Sequence, residues 1–277
     1  ALQLKYALEG YGFPMGVGFG ADEKNASQNI LNIYQGGITL GQKEYYIDND
    51  EATKNIREAY KKHIVRMFGM FGFKQKVAEQ KMHDILDVET ALAKVSKSRT
   101  ELRDVEANYN KMTLQQFKHL YPAFNVEGLC LAQGVKAADI QQIIVGQPTF
   151  LEGANKYFAS ISANALRAYM EWEAICSAAN YLSDEVEDAN FDFFGKTMRG
   201  RQQNFPRWKR ATNLVQGQMG EALGRMYVKQ FFPPAAKERM EKLVKNLQAS
   251  LAERIQAQTW MSDTTKAAAL DKLNHFY

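Results

Sequence analysis

Residues 50–71 read DEATKNIREAYKKHIVRMFGMF, and this stretch decides the fold class. Its apolar residues recur at intervals of four, four, three and four positions; they are Ile56, Tyr60, Ile64, Met67 and Phe71. This spacing places the apolar side chains along one face of an α-helix. The stretch therefore predicts an amphipathic helix whose apolar face packs against a core.

The same helical period recurs later in the chain. A second segment carries Val77, Ile85, Val88, Leu92 and Val95, and a third carries Met240, Leu243, Val244, Leu247, Leu251 and Ile255. The third follows Pro233-Pro234, and proline is well tolerated at the first position of a helix. Thr113-Leu114-Gln115-Gln116 matches a capping box, in which the first and last side chains satisfy each other's backbone N–H. These patterns predict long amphipathic helices.

The first fifty residues have a different pattern. Two apolar runs, Phe13 to Gly20 (FPMGVGFG) and Asn29 to Tyr34, flank a polar turn at 21–25, which predicts a β-hairpin. The close glycines of the first run lack the spacing of a phosphate-binding loop, so we interpret them as part of a strand. With no internal repeat, the sequence predicts one mainly α, multi-helix domain over 1–277, with a small N-terminal hairpin.

Composition limits the function classes. The 277 residues are 45% hydrophobic and 24% charged, and no apolar run reaches the roughly 20 residues of a membrane-spanning helix. The net charge of +4 is too small to indicate a nucleic-acid partner by itself. Cys130 and Cys176 can form one disulfide or remain free, and we favour free thiols.

The sequence offers no recognisable catalytic or metal-binding motif. None of the four histidines, His63, His83, His119 and His275, has another histidine three or four positions away or lies near a cysteine, so we expect surface histidines or satisfied core histidines. No nucleophile motif is present either. The carboxylates of Glu185, Glu187 and Asp188 are expected on a solvated helix face. We therefore predict no catalytic residue and no metal ligand in this chain.

One segment is strongly basic. Residues 196–210 contain six cations and no acid, interleaved with Phe205 and Trp208; the cations are Lys196, Arg199, Arg201, Arg207, Lys209 and Arg210. Cations alternating with aromatic rings can bind nucleic acid. They can also pack within the domain or face the carboxylate of a peptide. We favour the second interpretation and predict that Arg199, Arg207 and Arg210 face substrate.

A set of segments, in order along the chain, resembles the neprilysin-type zinc metallopeptidases. The segments are Asn108-Tyr109-Asn110-Lys111-Met112-Thr113-Leu114, Arg207-Trp208-Lys209, Gly220-Glu221-Ala222-Leu223-Gly224, Phe231-Phe232-Pro233 and Trp260-Met261. The resemblance covers essentially the whole chain. Within the family, which includes the endothelin-converting enzymes, it is strongest to the bacterial oligopeptidases.

The resemblance implies a role and a set of partners. The family's His-Glu-x-x-His zinc helix does not occur here, so the chain resembles the helical second domain, which encloses a cavity and admits small peptides. The polypeptide would then begin before Ala1 and continue beyond Tyr277 into the catalytic domain, which would hold zinc, the parent's cofactor. The implied partners are that domain and small peptides, in a bacterial, extracytoplasmic enzyme that is periplasmic or membrane-anchored, without nucleic acid.

Two other readings stay open. The chain can be a stand-alone helical interaction module, or a nucleic-acid binder that uses segment 196–210.

Overall fold

A computed structural model describes residues 14–276, so Phe13 of the predicted hairpin lies outside the described part. The chain divides into two compact units, Ala1–Asn204 and Phe205–Tyr277. The described helices are α1 (Glu44–Ile47), α2 (Glu51–Met70), α3 (Gln75–Val95), α4 (Leu114–Leu120), α5 (Val126–Ala132), α6 (Pro148–Ser160), α7 (Ala163–Ala178), α8 (Asp184–Asn190), α9 (Arg207–Phe231), α10 (Pro234–Ala257) and α11 (Asp263–Asn274). The strands are β1 (Met15–Asp22), β2 (Asn25–Gln35), β3 (Asn110–Thr113) and β4 (Gln142–Val145). The predicted fold class, mainly α with a small β element, is confirmed.

The β element is larger than predicted. β1 and β2 form the expected antiparallel hairpin, and its glycine-rich run is a strand. Two further strands complete a sheet in the order β1-β2-β4-β3, with β4 parallel to β2 and antiparallel to β3. The sequence therefore predicted the hairpin but not the two strands that extend it. β3 and β4 are four residues each, too short for apolar alternation to reveal them.

The helix predicted from residues 50–71 is α2. Asp50 caps it by accepting a hydrogen bond from the backbone N–H of Thr53 at 2.9 Å. Three of the five residues in the predicted stripe are fully buried, namely Tyr60, Ile64 and Met67. The helix ends before Phe71, whose side chain is exposed. The spacing of the apolar residues thus identified the helix and most of its buried face.

Two apolar clusters form the core of the first unit. One packs the sheet against α3, α4 and α6, through residues such as Ile33, Val88 and Phe150. The other packs α2, α3 and α7, through residues such as Ile64 and Trp172. Both α3 and α7 contribute residues to the two clusters, so these two helices join them.

The predicted capping box is confirmed at the start of α4. The backbone N–H of Gln116 donates to Thr113 Oγ1 at 3.1 Å, and the backbone N–H of Thr113 donates to Gln116 Oε1 at 2.8 Å. The two bonds satisfy N–H groups that the first helical turn leaves without partners. They also fix the direct passage from β3 into α4.

The second unit consists of α9, α10 and α11. The predicted helix after Pro233 is α10, and α9 contains a non-helical residue, Met219, where the helix kinks. Among the described residues of this unit, Leu273 is the one buried side chain. Most of the apolar stripe predicted on α10 is exposed; Met240, Leu243, Val244, Leu247 and Leu251 show about half or more of their surface.

We predict that Gly153→Ala destabilises the first unit by about 1–3 kcal/mol, the usual cost of overpacking. A Cβ atom on Gly153 of α6 would lie 2.4 Å from Cγ1 of Val95 on α3. Urea unfolding measures the loss, and adding Val95→Ala should restore part of it.

Gly217→Ala is the matched control. A Cβ atom at this helical position meets nothing within 4 Å, so the change should be neutral or stabilising by up to about 1 kcal/mol. Equal stability of Gly153→Ala and the parent chain would contradict the close packing of α3 and α6.

Candidate functional site

The basic segment 196–210 is divided between the two units. Lys196 and Arg199 belong to the first unit, whereas Arg207 and Arg210 lie three positions apart in the first turn of α9. The structure therefore brings together two of the three predicted substrate-facing arginines on one helix. It places the third, Arg199, in the other unit.

The cations of the first unit surround a π-helical turn at Phe191–Thr197. Lys196 Nζ lies 5.7 Å and the Arg201 guanidinium 5.2 Å from the centre of the Phe191 ring, within range of cation–π attraction. Lys196 also pairs with Asp192 at 2.7 Å. Arg199 is exposed and forms no ion pair or hydrogen bond with another described residue. Its guanidinium is therefore available to an anion from solution.

In the second unit the cations gather around Phe205. Lys209 Nζ lies 4.5 Å from the centre of its ring, and Arg210 donates to its backbone carbonyl at 3.1 Å. Trp208 is 70% exposed beside them. Guanidinium groups and an open aromatic face are suited to a carboxylate next to an apolar side chain. These groups can bind such a ligand, but none of them is a nucleophile.

The acidic face predicted at 185–188 is only partly solvated. Glu185 and Asp188 are exposed, as expected, whereas Glu187 is buried. Asn204 Nδ2 donates to Glu187 Oε1 at 3.0 Å. The expectation for Glu187 was wrong because α8 turns this residue towards its buried face together with Val186 and Ala189.

The segment 108–114, which carries part of the family resemblance, anchors the hairpin. Lys111 Nζ pairs with Asp22 Oδ2 at 2.6 Å, and the Tyr109 hydroxyl donates to Asp22 Oδ1 at 2.8 Å. Asn110 Nδ2 donates to the carbonyl of Val145 on β4 at 3.0 Å. The hydrogen bond from Lys111 is the main reason that the pKa of Asp22 falls to about 2. This motif therefore holds the sheet together.

Sequence reasoning missed a buried polar cluster around Glu89 on α3. Its carboxyl group accepts from Thr39 Oγ1 at 2.5 Å, from the Thr39 backbone N–H at 3.2 Å, from the Tyr60 hydroxyl at 2.9 Å and from the Tyr46 hydroxyl at 3.0 Å. Burial raises the pKa of Glu89 to about 7. The available signal was a glutamate on the apolar face of α3, four positions after Ile85 and three before Leu92.

The histidines do not form a site. His83, His119 and His275 are exposed, as predicted. His63 is buried against the Phe193 ring, with 4.9 Å between ring centres, and burial lowers its pKa to about 4. Its Nε2 has no hydrogen-bond partner among residues 14–276, so within this range the expectation of a satisfied core histidine was wrong for this residue.

Residues 14–276 hold neither a cluster of metal ligands nor a helix able to span a membrane. Within residues 14–276, no group of three or more His, Cys, Asp or Glu side chains is arranged to hold a metal ion. No helix in that range has the length and apolar character needed to cross a bilayer. Both cysteines are free thiols, which confirms the favoured alternative.

Comparison with known proteins adds a whole-chain relationship. The model of the N-terminal part of peptidase family M13 matches residues 1–277. The chain is 26% identical to endothelin-converting enzyme 1 of Homo sapiens over 260 residues, which are 93% of this chain and 34% of that protein. It is 28% identical to neprilysin-11 of Caenorhabditis elegans over 269 residues, 92% of this chain and 31% of that protein. It thus spans about a third of these relatives.

Solved structures show the same fold. The zinc metalloprotease Zmp1 of Mycobacterium tuberculosis in complex with an inhibitor aligns with a TM-score of 0.89 and 31% identity, over 99% of this chain and 41% of that one. PepO of Lactobacillus rhamnosis aligns with a TM-score of 0.83 over 98% of this chain and 43% of that one. At 20% identity, the second similarity concerns the fold alone.

We predict that Lys111→Met lowers the urea midpoint at neutral pH, because it removes the main partner of the buried Asp22 carboxylate. The pKa of Asp22 falls from 3.8 to about 2 in the fold. Its contribution to stability is therefore present above pH 3.8 and is lost as the pH falls through 2. The difference between the two proteins should shrink over that acid range.

Lys61→Met is the control, since Lys61 pairs with Glu58 at 2.6 Å on the exposed side of α2 and such surface pairs contribute little. A Lys111→Met protein with the parent's midpoint at pH 7, or a difference that grows in acid, would count against the anchoring role of this motif.

Proposed function

The chain belongs to peptidase family M13, and on this premise we propose that it is the substrate-gating helical part of a zinc metalloendopeptidase that cleaves small peptides. The observation that carries the proposal is the family match over residues 1–277. The similarity of the fold to the zinc metalloprotease Zmp1, at 31% identity, supports the same enzyme class. In this proposal the chain supplies walls and binding groups, and the remaining two thirds of the polypeptide supply the chemistry.

The described residues of this chain, 14–276, do not fit a zinc site. A catalytic zinc ion needs three protein ligands arranged around it, and the described residues hold no such group. The sequence contains no His-Glu dipeptide. The zinc-activated water that hydrolyses the peptide is therefore assigned to the rest of the enzyme, and no catalytic step is assigned to this chain.

The exposed surface of the second unit supports a partner within the same polypeptide. α9 and α10 expose large apolar side chains along their length, including Met226, Phe231, Leu243 and Leu247. Large apolar side chains exposed in this number are typical of interaction surfaces. We assign this surface to the catalytic part of the enzyme, which in this proposal corresponds to the two thirds of the relatives' length that this chain does not match.

The cationic residues give the proposed gate a preference for peptides that carry carboxylates. Arg199, Arg207 and Arg210 can each donate two parallel hydrogen bonds to a carboxylate. We assign each of them to a peptide-facing surface of its own unit, where it can bind the C-terminal carboxylate or an acidic side chain of a peptide. The similarity to the mycobacterial enzyme also supports a bacterial source, and we place the enzyme outside the cytoplasm.

The activity is tested on the longer gene product that includes the part of the family not represented here. It should hydrolyse short peptides, lose that activity with a zinc chelator and regain it with added zinc. In a series of peptides that share one cleavage sequence, hydrolysis should fall steeply with length. The 277-residue chain alone should cleave none of them. Zinc-independent hydrolysis, or equal rates for short and long substrates, would overturn the proposal.

In that enzyme, replacing Arg199, Arg207 and Arg210 together by Ala should raise KM roughly tenfold for peptides with a free C-terminal carboxylate, because one charge-assisted hydrogen bond contributes about this much. Peptides with an amidated C-terminus should be nearly unaffected.

Arg99→Ala is the matched control, since Arg99 is an exposed arginine outside the basic segment. The role of the three arginines would be refuted by an equal rise in KM for free and amidated peptides, or by no rise for either.

A further inference from the structure

Glu89 lies where the two apolar clusters of the first unit meet. Its neighbours along α3 divide between them: Val88 and Leu92 belong to the cluster under the sheet, and Ala93 to the cluster around α2 and α7. Its carboxyl group is completely buried. A change at this carboxyl group therefore reaches both clusters at once.

The hydrogen bonds around Glu89 have a fixed direction. Trp172 Nε1 donates to the Tyr60 hydroxyl at 2.8 Å and to the Thr39 hydroxyl at 3.1 Å. The backbone N–H of Leu40 donates to the Tyr46 hydroxyl at 2.9 Å. Because indole and amide N–H groups donate only, each hydroxyl group accepts on that side and directs its own proton at Glu89. The four donors leave the carboxylate no need for a proton of its own.

No cation balances the buried charge. Glu89 forms no ion pair with any Lys, Arg or His among residues 14–276; the titratable groups that face it are Tyr46 from α1, Tyr60 from α2, and Tyr169, Glu173 and Cys176 from α7. All of them are neutral or negative. Burial penalises the anion, and the charge of Glu173 raises the pKa of Glu89 further. Burial thus raises the pKa of Glu89, and the hydrogen bonds from its neighbours lower it.

We propose that Glu89 is a proton-operated joint, by which we mean a buried contact between the two clusters that rearranges when its carboxyl group gains or loses a proton. When the carboxylate takes up a proton from solvent, it becomes a hydrogen-bond donor, and at least one of the three surrounding hydroxyl groups has to turn away. The contacts of residues 37–41, α1, α2 and α7 with α3 then rearrange. This joint is separate from the proposed gating role and does not depend on it.

The effect on stability has a definite sign. The pKa of Glu89 is about 7 in the fold and 4.5 for an ordinary glutamate, so between these values the folded chain binds a proton that the unfolded chain does not. The contribution of Glu89 to stability is fully present below pH 4.5 and is lost as the pH rises through 7.

The fluorescence of Trp172 tests the joint in the full 277-residue chain. The other two tryptophans, Trp208 and Trp260, are exposed and can be replaced by Phe. Burial also raises the pKa of Glu173, next to Trp172, to about 7, so Glu173→Gln is added to that background. There the emission should change in one step as Glu89 titrates, and Glu89→Gln should abolish the step. A separate step near pH 4 belongs to His63, whose ring lies 5.6 Å from that of Trp172.

Two further variants keep the test decisive if Glu89→Gln does not fold. Tyr46→Phe removes one donor to the carboxylate, so the midpoint should rise by roughly half a unit to one unit. Glu173→Gln removes the second carboxyl group that titrates near pH 7, so the step of Glu89 should remain in this variant, with a lower midpoint because a neighbouring negative charge is gone. A step that persists in Glu89→Gln, disappears in Glu173→Gln, or keeps its midpoint in Tyr46→Phe would overturn the proposal.

Discussion

A carboxyl group without a cation, buried in an apolar core, constrains the first unit more than any other interaction. A buried charge is tolerated only when hydrogen bonds replace the water that it has lost. For Glu89 those bonds come from Thr39, Tyr46 and Tyr60, on three different segments that must therefore converge on α3. Trp172 ties α7 to the same point. The polar cluster thus specifies an arrangement that apolar packing alone would leave less defined.

The two units differ in how far they bury their apolar side chains. The first unit covers its apolar faces in two clusters that share α3 and α7. The second leaves the apolar stripes of α9 and α10 exposed, with Leu273 its one buried side chain among the described residues. An isolated domain gains little stability from helices whose apolar faces remain in water. Such helices suit a part of the enzyme that completes its packing on another part, as the proposed function requires.

The sequence predicted the features that depend on local pattern. The spacing of Tyr60, Ile64 and Met67 identified α2 and its buried face, and Thr113 identified the start of α4. β3 and β4 escaped prediction because a four-residue strand is defined by its partners, as Ile143 of β4 is by Leu31 of β2. The Glu89 cluster joins residues far apart in the chain, and the role of Lys111 as the partner of Asp22 likewise appears only in three dimensions. Which arginines face substrate remains a prediction.

In the proposed enzyme, the rest of the peptidase covers the apolar surface of α9 and α10. Amide hydrogen exchange, compared between the 277-residue chain and the longer gene product, tests this claim most directly. We predict that the amides of α9 and α10 exchange at least tenfold more slowly in the longer protein, while those of α2 and α3, already packed in the first unit, are unchanged. Equal exchange of α9 and α10 in the two proteins would contradict the claim.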